Sequence, residues 1–180
     1  MLPITIPARE LWDEETQEFV YVEEQTLLLE HSLVSLSKWE SKWCKPFLAT
    51  KTLTVQESRD YVRCMTLTPD VDPSVYDYLT DDIIDQVSEY IARPMTATWF
   101  SKDENAKQSH EIVTNELIYY WMIMANIPFE CENWHLNRLF TLLQVCSAKN
   151  KPPKKMSKQE ILSRNAALNA ARRKQLNSKG

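Results

Sequence analysis

The stretch SHEIVTNELIYYWMIMANIPFECENWHLNRLFTLLQVCS, residues 109–147, decides the fold of this chain. Its first part, 109–126, is apolar around almost the whole circumference of a helix, a pattern typical of a central helix in a bundle. Its second part, 132–147, repeats apolar residues at three- and four-residue steps. The connector is short and contains Pro128, so we predict two helices that pack against each other. The predicted core residues of this pair are Leu117, Tyr120, Trp121, Leu136, Leu139 and Leu143.

Upstream of this pair, prolines divide the chain into further helical segments. Ser32 begins a pattern with apolar residues on one helical face, which Pro46 ends. Residues 54–57, Thr-Val-Gln-Glu, form a capping box that opens a short helix. Residues 74–92 predict one helix or two, closed by Pro94.

The first 31 residues have a different character. Aromatic and β-branched residues flank the polar turn 13–16, which predicts a hairpin. Residues 25–31 add a third strand in our interpretation, although Leu27-Leu28-Leu29 is also compatible with the start of a helix. We therefore predict a mainly α fold: a helical bundle with a small N-terminal β-hairpin or sheet and a basic C-terminal helical arm.

Charge divides the chain into an acidic body and a basic arm. From residue 147 to the end there are ten Lys or Arg residues and one acidic residue, Glu160. The first 146 residues carry 11 basic and 24 acidic residues, a net charge of −13. Pro152-Pro153 interrupts any helix, and a capping box at 157–160 opens a new one. We predict a mostly helical body, 1–148, with its β-rich element at 1–31, followed by a basic linker and helix, 149–180.

The basic arm is the candidate partner-binding site. The arm is compatible with three roles. It could bind nucleic acid by neutralising phosphates, bind an acidic protein surface, or be a solvated tail without a partner. The acidic body opposes a nearby polyanion, so a protein partner is favoured over nucleic acid. The candidate binding residues are Lys154, Lys155, Lys158, Arg164, Arg172, Arg173 and Lys174.

Glycine content argues against several classes of enzyme. The chain has one glycine, Gly180, whereas about a dozen would be usual at roughly 7%. The phosphate-binding loop, the dinucleotide fingerprint and the nucleophile elbow all need glycine, and their motifs are missing from the sequence. His31 and His110 each have a neighbouring glutamate, but adjacent residues point in different directions and build no catalytic pair. We therefore predict a protein that is not an enzyme and has no catalytic residues.

Metal binding and membrane insertion are not predicted either. Cys131 and His135 are four residues apart, but a structural zinc site needs four ligands, and no second pair is close in sequence. The four cysteines are expected to be reduced, because the chain does not begin like a secretion signal. No apolar run reaches the roughly 18 to 20 residues of a membrane helix. The expectation is a cytoplasmic protein without metal or other cofactor.

Three stretches of the sequence resemble a known family. They are LEHSLVSLSKWESKW at 29–43, NWHLNRL at 133–139, and the tail from KKMS at 154–157 to NSKG at 177–180. Together they resemble the tail assembly chaperones of long-tailed bacteriophages, which are encoded beside the tape-measure gene.

The resemblance implies a largely helical, non-catalytic protein of the host bacterial cytoplasm. Such a protein binds the tape-measure protein, helps to recruit tail-tube protein and is absent from the finished virion. Self-association is a further expectation. The alternatives are a nucleic-acid-binding protein that uses the basic arm, and a structural head–tail or tail component of the virion.

Overall fold

The computed structural model describes residues 1–13, 17–100, 111–150 and 158–176. Contacts divide the chain into two compact units, which we call unit 1, Met1–Ser147, and unit 2, Ala148–Gly180. The fold is mainly α with a small antiparallel β element at the N-terminus, as predicted. In the part of the chain that the structure describes, no helix is both long and apolar enough to cross a membrane.

The β element of unit 1 consists of two separate two-stranded antiparallel sheets. Strands β2, Arg9–Asp13, and β3, Glu18–Val22, form the predicted hairpin. Strand β4, Gln25–Leu29, confirms the third predicted strand, and it pairs with β1, Leu2–Ile6, rather than with the hairpin.

The β1–β4 sheet has one buried face and one exposed face. Side chains alternate along each strand because successive residues of a strand point to opposite faces. Four of them lie in the core: Ile4, Ile6, Leu27 and Leu29. This alternation of buried and exposed side chains, which leaves Leu28 exposed between two buried leucines, distinguishes β4 from the helix start that three consecutive leucines also allowed.

Five α-helices begin in unit 1. They are α1, Leu33–Trp43; α2, Val55–Met65; α3, Asp81–Ala92; α4, Asn115–Met124; and α5, Leu136–Asn150. Three 3₁₀ helices lie between them, Phe47–Ala49, Pro73–Tyr78 and Phe129–Asn133. Both α1 and α2 begin with a capping box, at Ser32 and at the predicted Thr54.

The start of α4 differs from the predicted start at residue 109. Residues 111–114 are not helical and 101–110 lie outside the described residues. Glu40 of α1 explains the observed start, because its Oε2 accepts hydrogen bonds from Asn115 N at 2.8 Å and Nδ2 at 2.7 Å. A carboxylate at a helix N-terminus satisfies backbone N–H groups that have no partner within the helix.

Two clusters of buried side chains form the core of unit 1. One joins the β1–β4 sheet to α2 and α3, and the other joins α1, α4 and α5. The second cluster contains Leu33, Leu36, Ile118, Met122, Ile127, Cys131, Leu136 and Leu139. It confirms that the predicted helix pair shares a core.

The predicted core residues of the helix pair are only partly correct. Leu136 and Leu139 are fully buried, whereas Leu117, Trp121 and Leu143 are half-buried. The prediction for Tyr120 is wrong, since 54% of it is exposed. The reason is that α4 has apolar side chains on all sides, so the sequence does not indicate which side its neighbours cover.

Unit 2 contains helix α6, Lys158–Gln175. Its described side chains are exposed, including those of Ile161, Leu162 and Leu168. A helix with so little burial obtains its stability from intrinsic propensity, and its many Ala, Leu, Lys and Arg residues are strong helix formers.

Candidate partner-binding surfaces

Helix α4 presents an exposed apolar surface. Tyr120, Ile123 and Met124 are 54%, 58% and 64% exposed, and we call these three residues the α4 apolar face. Positions three and four apart lie on one side of a helix. Ile118 and Met122, which anchor α4 in the core, are each two residues from a member of this face and therefore point the other way. One side of α4 holds the fold and the other contacts solvent.

A further aromatic side chain follows α4 in the sequence. Phe129, at the start of a 3₁₀ helix, is 55% exposed. Its ring centroid lies 6.3 Å from that of Tyr119. The Tyr119 hydroxyl donates to Glu132 Oε2 at 2.8 Å, which ties α4 to this 3₁₀ helix. The segment after α4 is therefore held in place by side chains as well as by the backbone.

Beneath the surface, the two described histidines contact each other. The ring centroids of His31 and His135 are 5.1 Å apart, although the residues are far apart in sequence. His31 Nδ1 lies 2.6 Å from the Tyr61 hydroxyl, and His31 is 2% exposed. Burial, reinforced by the charge that His135 would carry, lowers the pKa of His31 to about 3. His31 is therefore neutral in the folded protein at physiological pH.

His135 has both ring nitrogens engaged. The Tyr90 carbonyl can only accept, so His135 Nε2 donates to it at 3.1 Å. The Asn137 backbone N–H can only donate, so Nδ1 accepts from it at 3.3 Å. These two bonds define the neutral Nε2–H tautomer, and burial also lowers the pKa of His135. His135 thereby links the end of α3 to the start of α5.

Glu30 completes this buried polar cluster. Its Oε1 accepts a hydrogen bond from the Tyr90 hydroxyl at 2.8 Å, and its Oε2 lies 2.9 Å from the Met1 amino group. Within the described residues, no buried side-chain nitrogen or oxygen lacks a hydrogen-bond partner. His31 Nδ1 and both ring nitrogens of His135 have partners inside the fold, and both rings are buried. We interpret the cluster as structural.

The pair considered for metal binding is also part of the packing. Cys131 is buried in the second core cluster, and burial raises the pKa of its thiol. His135 uses its nitrogens as described above. Among the residues that the structure describes, no group of three or more His, Cys, Asp or Glu side chains is arranged to hold a metal ion.

The predicted partner-binding residues lie partly on α6. Lys154 and Lys155 lie outside the described residues. The other five are on α6 and exposed: Lys158, Arg164, Arg172, Arg173 and Lys174. They do not form a single face, because the consecutive residues 172–174 point about 100° apart. These three also lie in the last turn, where cations favourably oppose the helix dipole.

The α4 apolar face was missed by sequence reasoning, which assigned its tyrosine to the core. The signal in the sequence was that α4 is apolar on all sides, which is more apolar surface than the neighbouring helices can cover. Exposed apolar patches of this kind mark binding surfaces in proteins. Comparisons of this chain with protein-family models, with curated proteins and with solved structures found no match.

Proposed function

We propose that this chain is a non-enzymatic escort protein in phage tail assembly. The α4 apolar face binds an apolar helical segment of the tape-measure protein, and the bound complex helps to recruit tail-tube subunits in the host cytoplasm. The observation that carries the proposal is the exposure of Tyr120, Ile123 and Met124 on one side of a helix whose other side is fixed in the core. The resemblance at residues 29–43 and 133–139 supplies the identity of the partner.

The size of the face suits a weak, repeated contact. Burying one large apolar side chain contributes about 1.5 to 3 kcal/mol. Because the three side chains are only 54–64% exposed, burying the rest of their surface contributes roughly 3 to 5 kcal/mol in total. Most of this offsets the cost of association and of side-chain ordering. Several copies along one long partner would bind much more tightly than a single copy. This combination permits coating during assembly and release afterwards.

The proposal assigns no catalytic step to the chain. A catalytic base must reach its substrate, whereas His31 is 2% and His135 4% exposed. Burial also raises the pKa of the Cys64 thiol to about 11, which disfavours the nucleophilic thiolate. These side chains serve packing and hydrogen bonding inside unit 1.

The test uses charge placed on the apolar face. Ile123→Lys combined with Met124→Lys is expected to weaken binding to a tape-measure fragment at least tenfold, since both lysines would be buried in the complex. Leu48→Lys combined with Leu67→Lys is the matched control, because both leucines are exposed and lie outside α4. Titration calorimetry at fixed salt measures both affinities. Equal affinity for the two double variants would show that α4 is not the binding surface.

A nucleic-acid partner is the second candidate, favoured by the exposed basic residues of α6. In that case the full chain would bind DNA or RNA with an affinity that falls steeply with salt, because neutralised phosphates release counterions. Removing residues 149–180 would abolish this binding and leave capture of the tape-measure fragment by α4 intact. Our proposal expects weak nucleic-acid binding at physiological salt, since unit 1 is strongly acidic.

A further inference from the structure

A cleft of about 470 Å³ on unit 1 has a cationic lining. It lies between α1, α2 and the 3₁₀ helix Pro73–Tyr78, and three basic side chains line it, Lys42, Arg59 and Arg63. Lys42 Nζ and Arg63 Nη2 lie 2.6 and 2.9 Å from the same oxygen, Asp60 Oδ1. One buried carboxylate thus faces two cations. Together, Lys42, Arg63 and Asp60 carry one net positive charge, and the two basic side chains have N–H donors that Asp60 does not accept.

The third cation has a weaker internal partner. Arg59 Nη1 lies 3.5 Å from Asp77 Oδ1, and the Asp77 side chain is 70% exposed. Exposed ion pairs of this kind contribute little to stability. A carboxylate from another molecule can therefore replace Asp77 on Arg59 at little cost.

The cleft belongs to a wider basic surface on α1 and α2. Between residues 38 and 63 the three acidic side chains, Glu40, Glu57 and Asp60, are all buried. The six basic residues of the same segment are exposed or half-buried: Lys38, Lys42, Lys45, Lys51, Arg59 and Arg63. This part of the surface is therefore cationic, although the unit as a whole is acidic.

The next segment has the opposite charge. Residues 64–92 contain no Lys or Arg. Their seven acidic residues are all exposed: Asp70, Asp72, Asp77, Asp81, Asp82, Asp85 and Glu89. One of these seven, Asp77, also lines the cleft, so the acidic segment meets the cationic surface at this residue.

We propose that the cationic cleft binds carboxylates of the 64–92 segment of a second copy of this chain. Two adjoining surfaces of opposite charge are self-complementary about a two-fold axis, where each cationic surface meets the acidic surface of the other copy. At physiological ionic strength charges interact over about 8 Å, so these local contacts outweigh the repulsion between distant charges. The inference is independent of the proposed function, because it does not use α4.

The test exchanges charge between the two surfaces in the full chain. Lys38→Glu with Arg59→Glu changes the net charge of residues 38–63 from +3 to −1, so both surfaces become acidic. The second variant combines Asp77→Lys, Asp82→Lys, Asp85→Lys and Glu89→Lys, which changes the net charge of residues 64–92 from −7 to +1, so both surfaces become basic. Lys38 and Arg59 are changed in place of Lys42 and Arg63 because the latter two neutralise buried Asp60 and are needed for stability. The charge control is Glu23→Lys with Glu24→Lys, two exposed residues outside both segments.

Sedimentation velocity measures association at 50 and 500 mM NaCl. Wild type is expected to dimerise at 50 mM and to weaken about tenfold or more at 500 mM, because salt screens exposed charges. Each reversed variant alone should be monomeric, and an equimolar mixture of the two should dimerise again. The Glu23/Glu24 control should dimerise like wild type. Circular dichroism checks that every variant folds, and Lys38→Gln with Arg59→Gln replaces the Lys38/Arg59 variant if that one does not fold.

Three results would overturn the proposal. In the first, wild type stays monomeric at 50 mM NaCl. In the second, each reversed variant alone dimerises as well as wild type. In the third, the equimolar mixture of reversed variants stays monomeric.

Discussion

Lowering the pH from 7.5 to 5.0 is expected to destabilise unit 1 by about 2 kcal/mol through His31 alone. Burial holds the pKa of His31 at about 3 in the folded protein, against 6.5 for an exposed histidine. Each pH unit between these values changes the free energy of unfolding by about 1.4 kcal/mol per group. The interval from 6.5 to 5.0 covers about 1.5 units, which gives roughly 2 kcal/mol.

The sign follows from which state binds the proton. Below pH 6.5 the unfolded chain protonates His31, whereas the folded protein does not until about pH 3. The stability contribution is therefore complete above pH 6.5 and is lost as the pH falls towards 3. His135 acts in the same direction, because burial lowers its pKa too. The hydrogen bond from Lys45 lowers the pKa of Glu57 to about 2, so Glu57 loses stabilising charge only below about pH 4.5.

Urea denaturation at pH 7.5, 6.5, 5.5 and 5.0 measures the effect, and NMR of the imidazole protons locates the titrating group. His31→Gln is expected to reduce the stability difference between pH 7.5 and 5.0 by about 2 kcal/mol, whatever its stability at pH 7.5. Tyr61→Phe keeps the burial of His31 and removes one hydrogen bond, so it should cost about 1 kcal/mol at pH 7.5 and keep the pH dependence. A His31 resonance that titrates near pH 6.5 in the folded protein would refute the reasoning.

Two further predictions concern the core of unit 1. Glu40 accepts hydrogen bonds from the Phe47 backbone and from Asn115. Glu40→Ala should therefore lower the free energy of unfolding, measured by urea denaturation, by about 3 kcal/mol. A decrease below about 1 kcal/mol would show that these bonds are not needed for stability. Leu139 is fully buried, whereas Leu143 is half-buried. Leu139→Ala should therefore lower the free energy of unfolding by about 2 to 5 kcal/mol, and Leu143→Ala by clearly less, in the same assay. Equal decreases would contradict the observed packing of α5.

The sequence predicted the elements that depend on neighbouring residues. The capping box at Thr54 acts within one helical turn, so four adjacent letters predict where α2 begins. The hairpin of β2 and β3 likewise follows from a polar turn between two apolar runs. The partner for β4 was not predicted, because pairing with β1 joins residues at opposite ends of the β element.

The candidate surfaces were predicted less well than the fold. The exposed bases of α6 were found because a run of like charge is visible in the sequence itself. Their role in binding stays a prediction. The α4 apolar face and the cationic cleft depend on which side chains become buried, and composition alone does not indicate this. Glu40, Glu57 and Asp60 count as acidic residues in the sequence, yet burial removes them from the surface.

Sequence by itself determined the mainly α class, the small β element and the division of charge along the chain, because periodicity, capping and composition act locally or are simple sums. Tertiary structure alone decided which side of α4 faces the core, where α4 begins, and that His31 meets His135. Each of these depends on contacts between residues distant in sequence, such as Glu40 with Asn115. Such contacts form only when packing brings the segments together, since hydrophobic burial has no direction until neighbouring helices define the buried side.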